Sequence, residues 1–306
     1  MAKKSRRHHY ISEFYTKHFS ENENLIQVYD KIDAIFYPTN PVNLFVKKDR
    51  NTFENLDGIK DDVIERIYSN LDAEYGSILK KITENGEVSD IHYKKLLFFA
   101  YLTKWRVPQY DQSFNVVKEN YSAGQLGLGL KSFEGIPFNF EIEELFGLDM
   151  QHELKRILLA FQLFRSKEDY KRILTHSFII PTPAHTSFIG DCPFIETTFD
   201  DGRQFGDFIF PITGELTLVY FSRIDRDEII SFLTNGDVMK INRFLTDFSS
   251  ARDVSLLDLA ERHIACGSKE RLKFIVETYN GFKNKGGAKG FHMTWFNILY
   301  NFKEYL

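Results

Sequence analysis

The sequence predicts an α+β fold: a mainly helical single domain with an antiparallel sheet formed largely by residues 175–222, plus an N-terminal hairpin. Three observations support this prediction. Residues 61–122 carry apolar side chains at three- and four-residue steps, the period of a helix. Residues 175–222 instead contain short β-branched and aromatic runs broken by proline, glycine and aspartate, a pattern typical of antiparallel strands. Helical patterns return after residue 227, and the lack of regular strand-helix alternation disfavours a doubly wound sheet.

The N-terminal elements are predicted to be a short helix and a hairpin. Residues 11–19 place aromatic and aliphatic side chains at helical steps. The stretch LIQVYDKIDAIFY at 25–37 has strand-forming residues on both sides of YDK, which predicts a hairpin that turns there. Helices follow at 61–81 before Asn85-Gly86, from Ser89 to Val107 before Pro108, at 111–122, 141–165, 227–233, 236–250 and 268–279.

The composition predicts a soluble protein of the cytoplasm that does not associate with membranes. Of its 306 residues 43% are hydrophobic, enough for a substantial core, yet no segment approaches the roughly 18 apolar residues of a membrane helix. The basic N-terminus lacks the apolar region of a secretory signal. Cys192 and Cys266, the two cysteines, are too few for a disulfide framework, so we expect both to be reduced.

No motif in the sequence fixes a reaction. GQLGLG at 124–129 departs from the dinucleotide-binding glycine pattern, and His152-Glu153 lacks the second histidine that a zinc protease carries at position 156. The net charge of −4 means that any affinity for nucleic acid must come from a local basic patch. Two segments have that character, the N-terminal KKSRRHH and KNKGGAKG at 283–290.

Arg106 is the most unusual charged residue of the predicted helices. It follows Leu102 by four residues and Phe99 by seven, so it lies on the apolar stripe that faces the core. A buried guanidinium without a partner destabilises the fold by about several kcal/mol. Either a carboxylate or a bound anion is therefore expected beside Arg106. An interior ion pair and an anion-binding site are both consistent with the pattern.

Asp191 interrupts an apolar, strand-like run in SFIGDCPFI at 187–195, where Pro193 restricts the backbone. We expect this carboxylate to be held by a partner, with Arg106 as the candidate. The alternative is a turn aspartate that bonds its own backbone.

His8 and His9 precede the predicted helix that begins near Ile11, so their imidazoles are expected beside free N–H groups at its positive end. That setting favours neutral imidazole, a proton acceptor or metal ligand, and Arg6 and Arg7 would add attraction for phosphate. The same residues could equally form a solvent-exposed basic tail.

These residues coincide with a family pattern. HHYISEFYTKHF at 8–19 resembles the HHY opening of the mostly bacterial domain-of-unknown-function family four-two-three-eight (DUF4238). IQVYDK at 26–31, KWRVP at 104–108, SFIGDCPFI at 187–195 and INRFL at 241–245 resemble its later segments in the same order. The resemblance implies a family-like α+β domain over 1–252 with a helical extension over 253–306 packed on it. It implies no activity.

Ser12 stands where the family motif has proline, and Gly190 and Cys192 flank Asp191 where the motif has serine and asparagine. Asp72 with Glu74 replaces its isoleucine-glutamate pair.

The working hypothesis is that His8, His9, Arg106 and Asp191 converge in one cleft. A histidine with a carboxylate could bind a divalent metal or act as a general base, while Arg106 holds a phosphate. This favours a phosphodiesterase or nuclease in defence or toxin function, with nucleic acid or a nucleotide as ligand. The alternatives are a non-catalytic module, in which the same residues form a polar network and which could bind a protein or oligomerise, and a sensor of a small anion. Candidates for substrate contact are Lys104, Arg6, Arg7, Tyr10 and Asn242.

Overall fold

The computed structural model describes residues 7–22, 24–54, 60–61, 63–86, 88–122, 125–126, 148–164, 166–182, 186–197, 206–284 and 290–306. The chain folds as two compact units. Unit 1 comprises Met1–Ser12, Phe45–Val88 and Lys95–Arg165, and unit 2 comprises Glu13–Leu44, Ser89–Lys94 and Ser166–Leu306.

Ten α-helices are present among the described residues. They are α1 (Glu13–Lys17), α2 (Val63–Asn85), α3 (Asp90–Arg106), α4 (Asp111–Asn120), α5 (Leu148–Ala160), α6 (Lys167–Thr175), α7 (Arg226–Asn235), α8 (Val238–Leu259), α9 (Lys269–Asn284) and α10 (Thr294–Tyr300). None of these described helices combines the length and the apolar composition that crossing a bilayer requires.

The described strands are short and all their pairings are antiparallel. They are β1 (Arg7–His9), β2 (Ile26–Asp30), β3 (Ile35–Thr39), β4 (Val46–Lys48), β5 (Phe53–Glu54), β6 (Lys60–Asp61), β7 (Ser177–Pro181), β8 (Ile189–Gly190), β9 (Ile195–Glu196), β10 (Phe208–Pro211), β11 (Leu216–Tyr220) and β12 (His263–Cys266). They form two ribbons, β1-β4 and β5-β6, and two four-stranded sheets in the orders β7-β11-β10-β9 and β3-β2-β12-β8.

Unit 1 combines helices with the two ribbons. Helix α2 ends where the sequence predicts, because Gly86 takes a φ of 69° and its amide donates to the Ile82 carbonyl at 3.0 Å. Helix α3, whose part from Lys95 belongs to this unit, is buried or half-buried from Leu96 onward and ends before Pro108. Tyr75 of α2 stacks on Phe99 of α3 with ring centroids 3.5 Å apart, which joins the two helices.

Unit 2 contains both four-stranded sheets. The predicted sheet over 175–222 is present as β7-β11-β10-β9, and the predicted hairpin is present as β2-β3. The hairpin turns at residues 31–34 rather than at YDK, because Tyr29 and Asp30 still pair with Phe36 and Ile35. Strand β3 lies at the end of its sheet, where Pro38 faces Gln27.

Segment 253–306, predicted to be a helical extension, contains the strand β12, which lies between β2 and β8 in its sheet. Four residues between two helices carry too little alternation to indicate a strand. Helix α8 also runs without a break through the expected boundary at 252 and 253. The domain boundary itself stays a prediction.

A large apolar core fills unit 2. Phe178, Phe188, Phe244, Phe248 and Trp295 are all at most 1% exposed and belong to one cluster of buried side chains. Burying one such ring contributes about 1.5–3 kcal/mol to folding, so this cluster is a main source of the unit's stability.

A buried ion cluster lies within unit 2. Asp253 and Arg252 are both fully buried, and the Asp253 carboxylate accepts hydrogen bonds from Arg252 at 2.7 and 3.0 Å and from Arg271 at 2.9 and 3.2 Å. Arg252 also donates to the Thr217 hydroxyl at 2.9 Å. Because two guanidinium groups share one carboxylate, the buried charges are paired and hydrogen-bonded as an interior requires.

Lys31 closes the C-terminal end of helix α8. Its ammonium group donates to the carbonyls of Leu257 at 2.6 Å, Asp258 at 3.2 Å and Ala260. The last carbonyls of a helix have no partner within it, and a cation placed there also favours the helix dipole.

Candidate functional site

Arg106 forms a buried ion pair with Asp72 in unit 1. Only 5% of Arg106 is exposed, and its Nη1 donates to Asp72 Oδ1 at 2.8 Å. Its Nη2 donates to the His9 carbonyl at 3.2 Å, and its guanidinium carbon lies 4.3 Å from the centre of the Tyr68 ring. Arg106 Nε has no hydrogen-bond partner among the described residues. The interior position predicted for Arg106 is therefore observed, with Asp72 as its counter-ion.

The acid-base properties of this pair follow from its burial. Burial raises the pKa of Asp72 and outweighs the opposing effect of the Arg106 charge, while Glu65 raises it further. Burial acts against the charge of Arg106, but Asp72 and Tyr68 outweigh it, so the Arg106 pKa is raised. Burial also raises the pKa of the Tyr68 hydroxyl. Arg106 therefore stays cationic, and Tyr68 stays neutral at physiological pH.

His8 lies in strand β1 rather than at a helix N-terminus. The side chain is 1% exposed, and its Nδ1 accepts a hydrogen bond from the Asn51 amide at 2.9 Å. Asn51 Nδ2 in turn donates to Glu65 Oε2 at 2.6 Å. Since Nδ1 acts as an acceptor, a neutral His8 ring carries its proton on Nε2.

The predicted placement of His8 and His9 beside a helix dipole is wrong, because α1 begins only at Glu13 and residues 7–9 are extended. Pairing of β1 with β4 is the physical cause. No local apolar alternation in RHH indicates this strand.

The neighbours of His8 lie on the same ribbon. His9 is half-buried, and its backbone carbonyl is the group that Arg106 binds. Arg7 is exposed and faces Lys48 across the ribbon. The Tyr10 amide donates to the Phe45 carbonyl at 3.0 Å, and the two rings meet edge to face with centroids 6.0 Å apart.

Two further arginines bind the C-terminal end of α3. Arg50 donates two hydrogen bonds to the Arg106 carbonyl, at 2.7 and 3.0 Å. It also forms a bidentate ion pair with the Asp111 carboxylate, with hydrogen bonds of 2.7 and 2.9 Å. Arg156 donates to the Trp105 carbonyl at 2.6 Å and lies 3.1 Å from Asp111. Burial opposes ionisation of Asp111, but these arginines hold its pKa below the ordinary value. The sequence did not predict this group of arginines. Its one signal was the end of α3 at Arg106, because the C-terminal end of a helix attracts cations.

Lys104, predicted to contact the substrate, lies in an interior setting among aromatic rings. It is 7% exposed, and its ammonium nitrogen lies 5.0 to 5.3 Å from the ring centres of Tyr101, Trp105 and Tyr110. Aromatic faces attract a cation, so this position is favourable without a bound anion.

Asp191 belongs to unit 2, and its carboxylate accepts hydrogen bonds from three successive backbone amides. These are Glu261 at 2.9 Å, Arg262 at 2.8 Å and His263 at 3.0 Å. The expectation that Asp191 neutralises Arg106 is therefore wrong, because Asp72 takes that role. The sequence did not indicate this partner, because 261–263 lie about seventy residues further along the chain.

The remaining predicted site residues are Asn242 and Arg6. Asn242 is exposed on α8 in unit 2, and its backbone carbonyl accepts a bond from Thr246 at 2.8 Å. Arg6 lies outside the described residues. Of the predicted site, unit 1 thus brings together His8, His9 and Arg106, with Arg7 and Tyr10 beside them.

The divalent metal raised by the sequence has no evident ligand set in the described part of the chain. No group of three or more His, Cys, Asp or Glu side chains is arranged there to hold a metal ion. The described part of the structure therefore identifies no metal ligands.

Comparison with known proteins gives one match. Residues 7–143 match the family model described as Protein of unknown function (DUF4238), so the predicted resemblance is confirmed over that stretch. The match includes the ribbon, Asp72 and Arg106, and it ends before Asp191 and Asn242. No curated protein and no solved structure matches the chain.

Proposed function

We propose that the chain is a non-catalytic binding module for a phosphate-bearing ligand, and that the network around Arg106 is its scaffold. The observation that carries this proposal is the engagement of the Arg106 guanidinium by Asp72, the His9 carbonyl and the Tyr68 ring. A guanidinium that is 5% exposed and already paired is positioned to hold β1 in place, not to receive a substrate.

The ligand class is inferred from the charges that the scaffold leaves at the surface. Arg7, Lys47 and Lys48 are exposed on the ribbon, next to the basic N-terminal sequence. Exposed cations on neighbouring strands attract phosphate oxygens by charge and by hydrogen bonding.

The rival function is the metal-dependent phosphodiesterase or nuclease of a defence or toxin system. Its specific support is that half-buried His9 lies within electrostatic range of Asp72 and lowers its pKa, while burial raises it. Carboxylates perturbed in this way, beside a histidine, are candidates for proton transfer.

The two functions predict different behaviour of Arg106→Ala and His9→Ala. As a scaffold, Arg106→Ala lowers the melting temperature, while the wild-type chain hydrolyses no bis(4-nitrophenyl) phosphate with Mg²⁺ or Mn²⁺. Pyrophosphate should raise the wild-type melting temperature, because a ligand of the folded state stabilises it. Metal-dependent turnover that both variants abolish at unchanged melting temperature would overturn the module and support the hydrolase.

A further inference from the structure

We propose that Arg50 and Arg156 of unit 1 bind a terminal phosphate group, and that the Asp111 side chain occupies this site until the ligand displaces it. This inference rests on the proposed binding function and identifies where the phosphate binds and what competes with it. It is carried by the convergence of two arginines on one carboxylate, by the other contacts that hold those arginines, and by the exposure of the carboxylate to solvent.

Two guanidinium groups converge on the Asp111 carboxylate. Arg50 Nη2 donates to Asp111 Oδ1 at 2.7 Å, and Arg50 Nη1 donates to Oδ2 at 2.9 Å. Arg156 Nη2 lies 3.1 Å from the same Oδ1. Arginine binds carboxylate and phosphate in the same bidentate way, because both present paired acceptor oxygens to its planar donor groups. The Asp111 carboxylate therefore marks the place that phosphate oxygens would take.

Both arginines have contacts that do not depend on this carboxylate. Arg50 donates from Nε and Nη2 to the Arg106 carbonyl at 3.0 and 2.7 Å. Arg156 donates from Nη1 to the Trp105 carbonyl at 2.6 Å and from Nε to Glu153 at 3.1 Å. Donors that are already ordered lose little conformational entropy when a ligand binds. The two arginines thus form a site that is preorganised for an anion.

The exposure of Asp111 distinguishes this site from a structural ion cluster. The carboxylate of Asp253 in unit 2 also binds two arginines, but its side chain is fully buried. The Asp111 side chain is 31% exposed, so it can move into water and be hydrated there. Leaving two largely buried arginines without any anion would be costly. Asp111 is therefore released in exchange for another anion and not otherwise.

The charges around Asp111 favour a terminal phosphate over a phosphodiester. Burial opposes ionisation of Asp111, but Arg50, Arg156 and the exposed Lys47 together hold its pKa below the ordinary value. Three cations therefore act on one carboxylate of single charge. A terminal phosphate carries a charge of about −1.5 to −2 at pH 7 on three acceptor oxygens, whereas a diester carries a single charge on two. The terminal phosphate can therefore displace a carboxylate that stays ionised at physiological pH.

The test is isothermal titration calorimetry of the full chain with pyrophosphate as the probe. Asp111→Asn keeps the shape of the side chain and removes the competing charge, so it should tighten binding roughly tenfold. Asp90→Asn is the matched control, because it changes an aspartate that pairs with Arg226 at 2.8 Å in unit 2, and it should leave the affinity unchanged. A chain that has lost its fold cannot bind more tightly, so the gain does not depend on the stability of the variant.

Two further substitutions should act in the opposite direction. Arg156→Gln removes one converging guanidinium group and should weaken pyrophosphate binding about tenfold or more. Lys47→Gln removes an exposed charge and should weaken binding by a smaller factor, about two- to fivefold, that shrinks as salt is added. Lys80→Gln, which changes an exposed lysine of α2, controls for the loss of a surface charge and should have no effect. Diethyl phosphate, a diester, should bind the wild-type chain more weakly than pyrophosphate.

Unchanged affinity in both Asp111→Asn and Arg156→Gln would overturn the proposal, as would diethyl phosphate binding as tightly as pyrophosphate. The wild-type chain tests the proposed function separately. If pyrophosphate binds it and neither substitution changes the affinity, only the location of the site is overturned. If pyrophosphate binds neither the wild-type chain nor Asp111→Asn, the proposed function is overturned as well. Binding to Asp111→Asn alone would support the site and show that Asp111 blocks it.

Discussion

The position of Arg106 could be predicted from the sequence, but the residue that pairs with it could not. Its place on an apolar helical face predicted an interior cation with an acidic partner, and both are observed. The partner was assigned to Asp191 because that residue interrupts an apolar run. Asp72 was noted only as a departure from the family motif, since a carboxylate on an amphipathic helix usually faces solvent.

Replacing Arg106 by alanine should lower the free energy of unfolding by about 3–5 kcal/mol, because it leaves the Asp72 carboxylate buried without its cation. Arg106→Lys should cost less, since it keeps the charge and loses only the planar fork. Urea denaturation measures both. Equal stability of wild type and Arg106→Ala would show that the pair contributes nothing to the fold.

Cys266 is predicted to be unreactive in the folded protein. Burial raises its pKa to about 12, and the residue is fully buried. At pH 8 roughly one molecule in ten thousand would carry the thiolate that attacks a disulfide reagent. Ellman's reagent should therefore label neither Cys266 nor the buried Cys192 before unfolding, and both afterwards. Prompt labelling of Cys266 under native conditions contradicts this expectation.

His263 should make stability depend on pH in a defined direction. Burial lowers its pKa below the ordinary 6.5, with Asp30 and Asp191 opposing this effect and Arg262 reinforcing it. A lowered pKa means that the folded state favours neutral imidazole. The resulting stability is present above about pH 6.5 and is lost as pH falls through the lower, folded-state pKa.

Chemical-shift titration of the His263 ring checks this directly, and denaturation between pH 8 and 5 checks the consequence. His263→Gln should weaken the pH dependence of stability. A ring that titrates above 6.5 in the folded chain would reverse the sign of the effect.

The elements of the fold could be predicted where local signals are strong. Helix α2 ends just before Gly86 and α3 ends before Pro108, as the sequence indicates, because glycine and proline act on the backbone directly. Strands β1 and β12 could not be predicted. Each has only three or four residues, and its partner strand is distant in sequence.

Two glycines offer an opposed pair of substitutions, one shortly before strand β10 and one within helix α9. Gly206 lies against the backbone of Thr197, so a methyl group there would collide with the Thr197 carbonyl and force the chain apart. Gly281 lies within α9 with open space around it. Gly206→Ala should destabilise by about 1–3 kcal/mol or more, whereas Gly281→Ala should stabilise by up to about 1 kcal/mol through helix propensity.

Thermal denaturation of both alanine variants measures this difference. Because the chemical change is identical, each variant controls for the other. Equal shifts in the same direction would refute the packing assigned to Gly206.

At the scale of the whole molecule, the α+β class is confirmed and the antiparallel sheet is found where residues 175–222 predicted it. The division into two units was not predicted. Their boundaries join segments far apart in the chain, as when residues 13–44 associate with 166–306, and no composition change marks such a boundary. Assigning His8, His9, Arg106 and Asp191 to one cleft was difficult for the same reason. Sequence spacing does not reveal which distant segments are in contact.

Ending the chain after Arg252 should prevent unit 2 from folding. Helix α8 would lose its C-terminal part from Asp253 to Leu259, Arg252 would lose Asp253, and β12 would be missing from between β2 and β8. Near-ultraviolet circular dichroism of the 1–252 fragment should show loss of fixed aromatic packing relative to the full chain. A fragment that keeps this signal would favour the domain boundary that the sequence suggested.

Pro38 has a consequence for how copies of this protein behave at high concentration. The strand that carries it is the outermost of its sheet as the structure describes it, and a proline is tolerated there where its nitrogen faces away from the ladder. The sheet edge at β3 therefore lacks one backbone amide hydrogen with which a strand of another molecule could pair. Crowded molecules consequently have less opportunity to join edge to edge into fibrils.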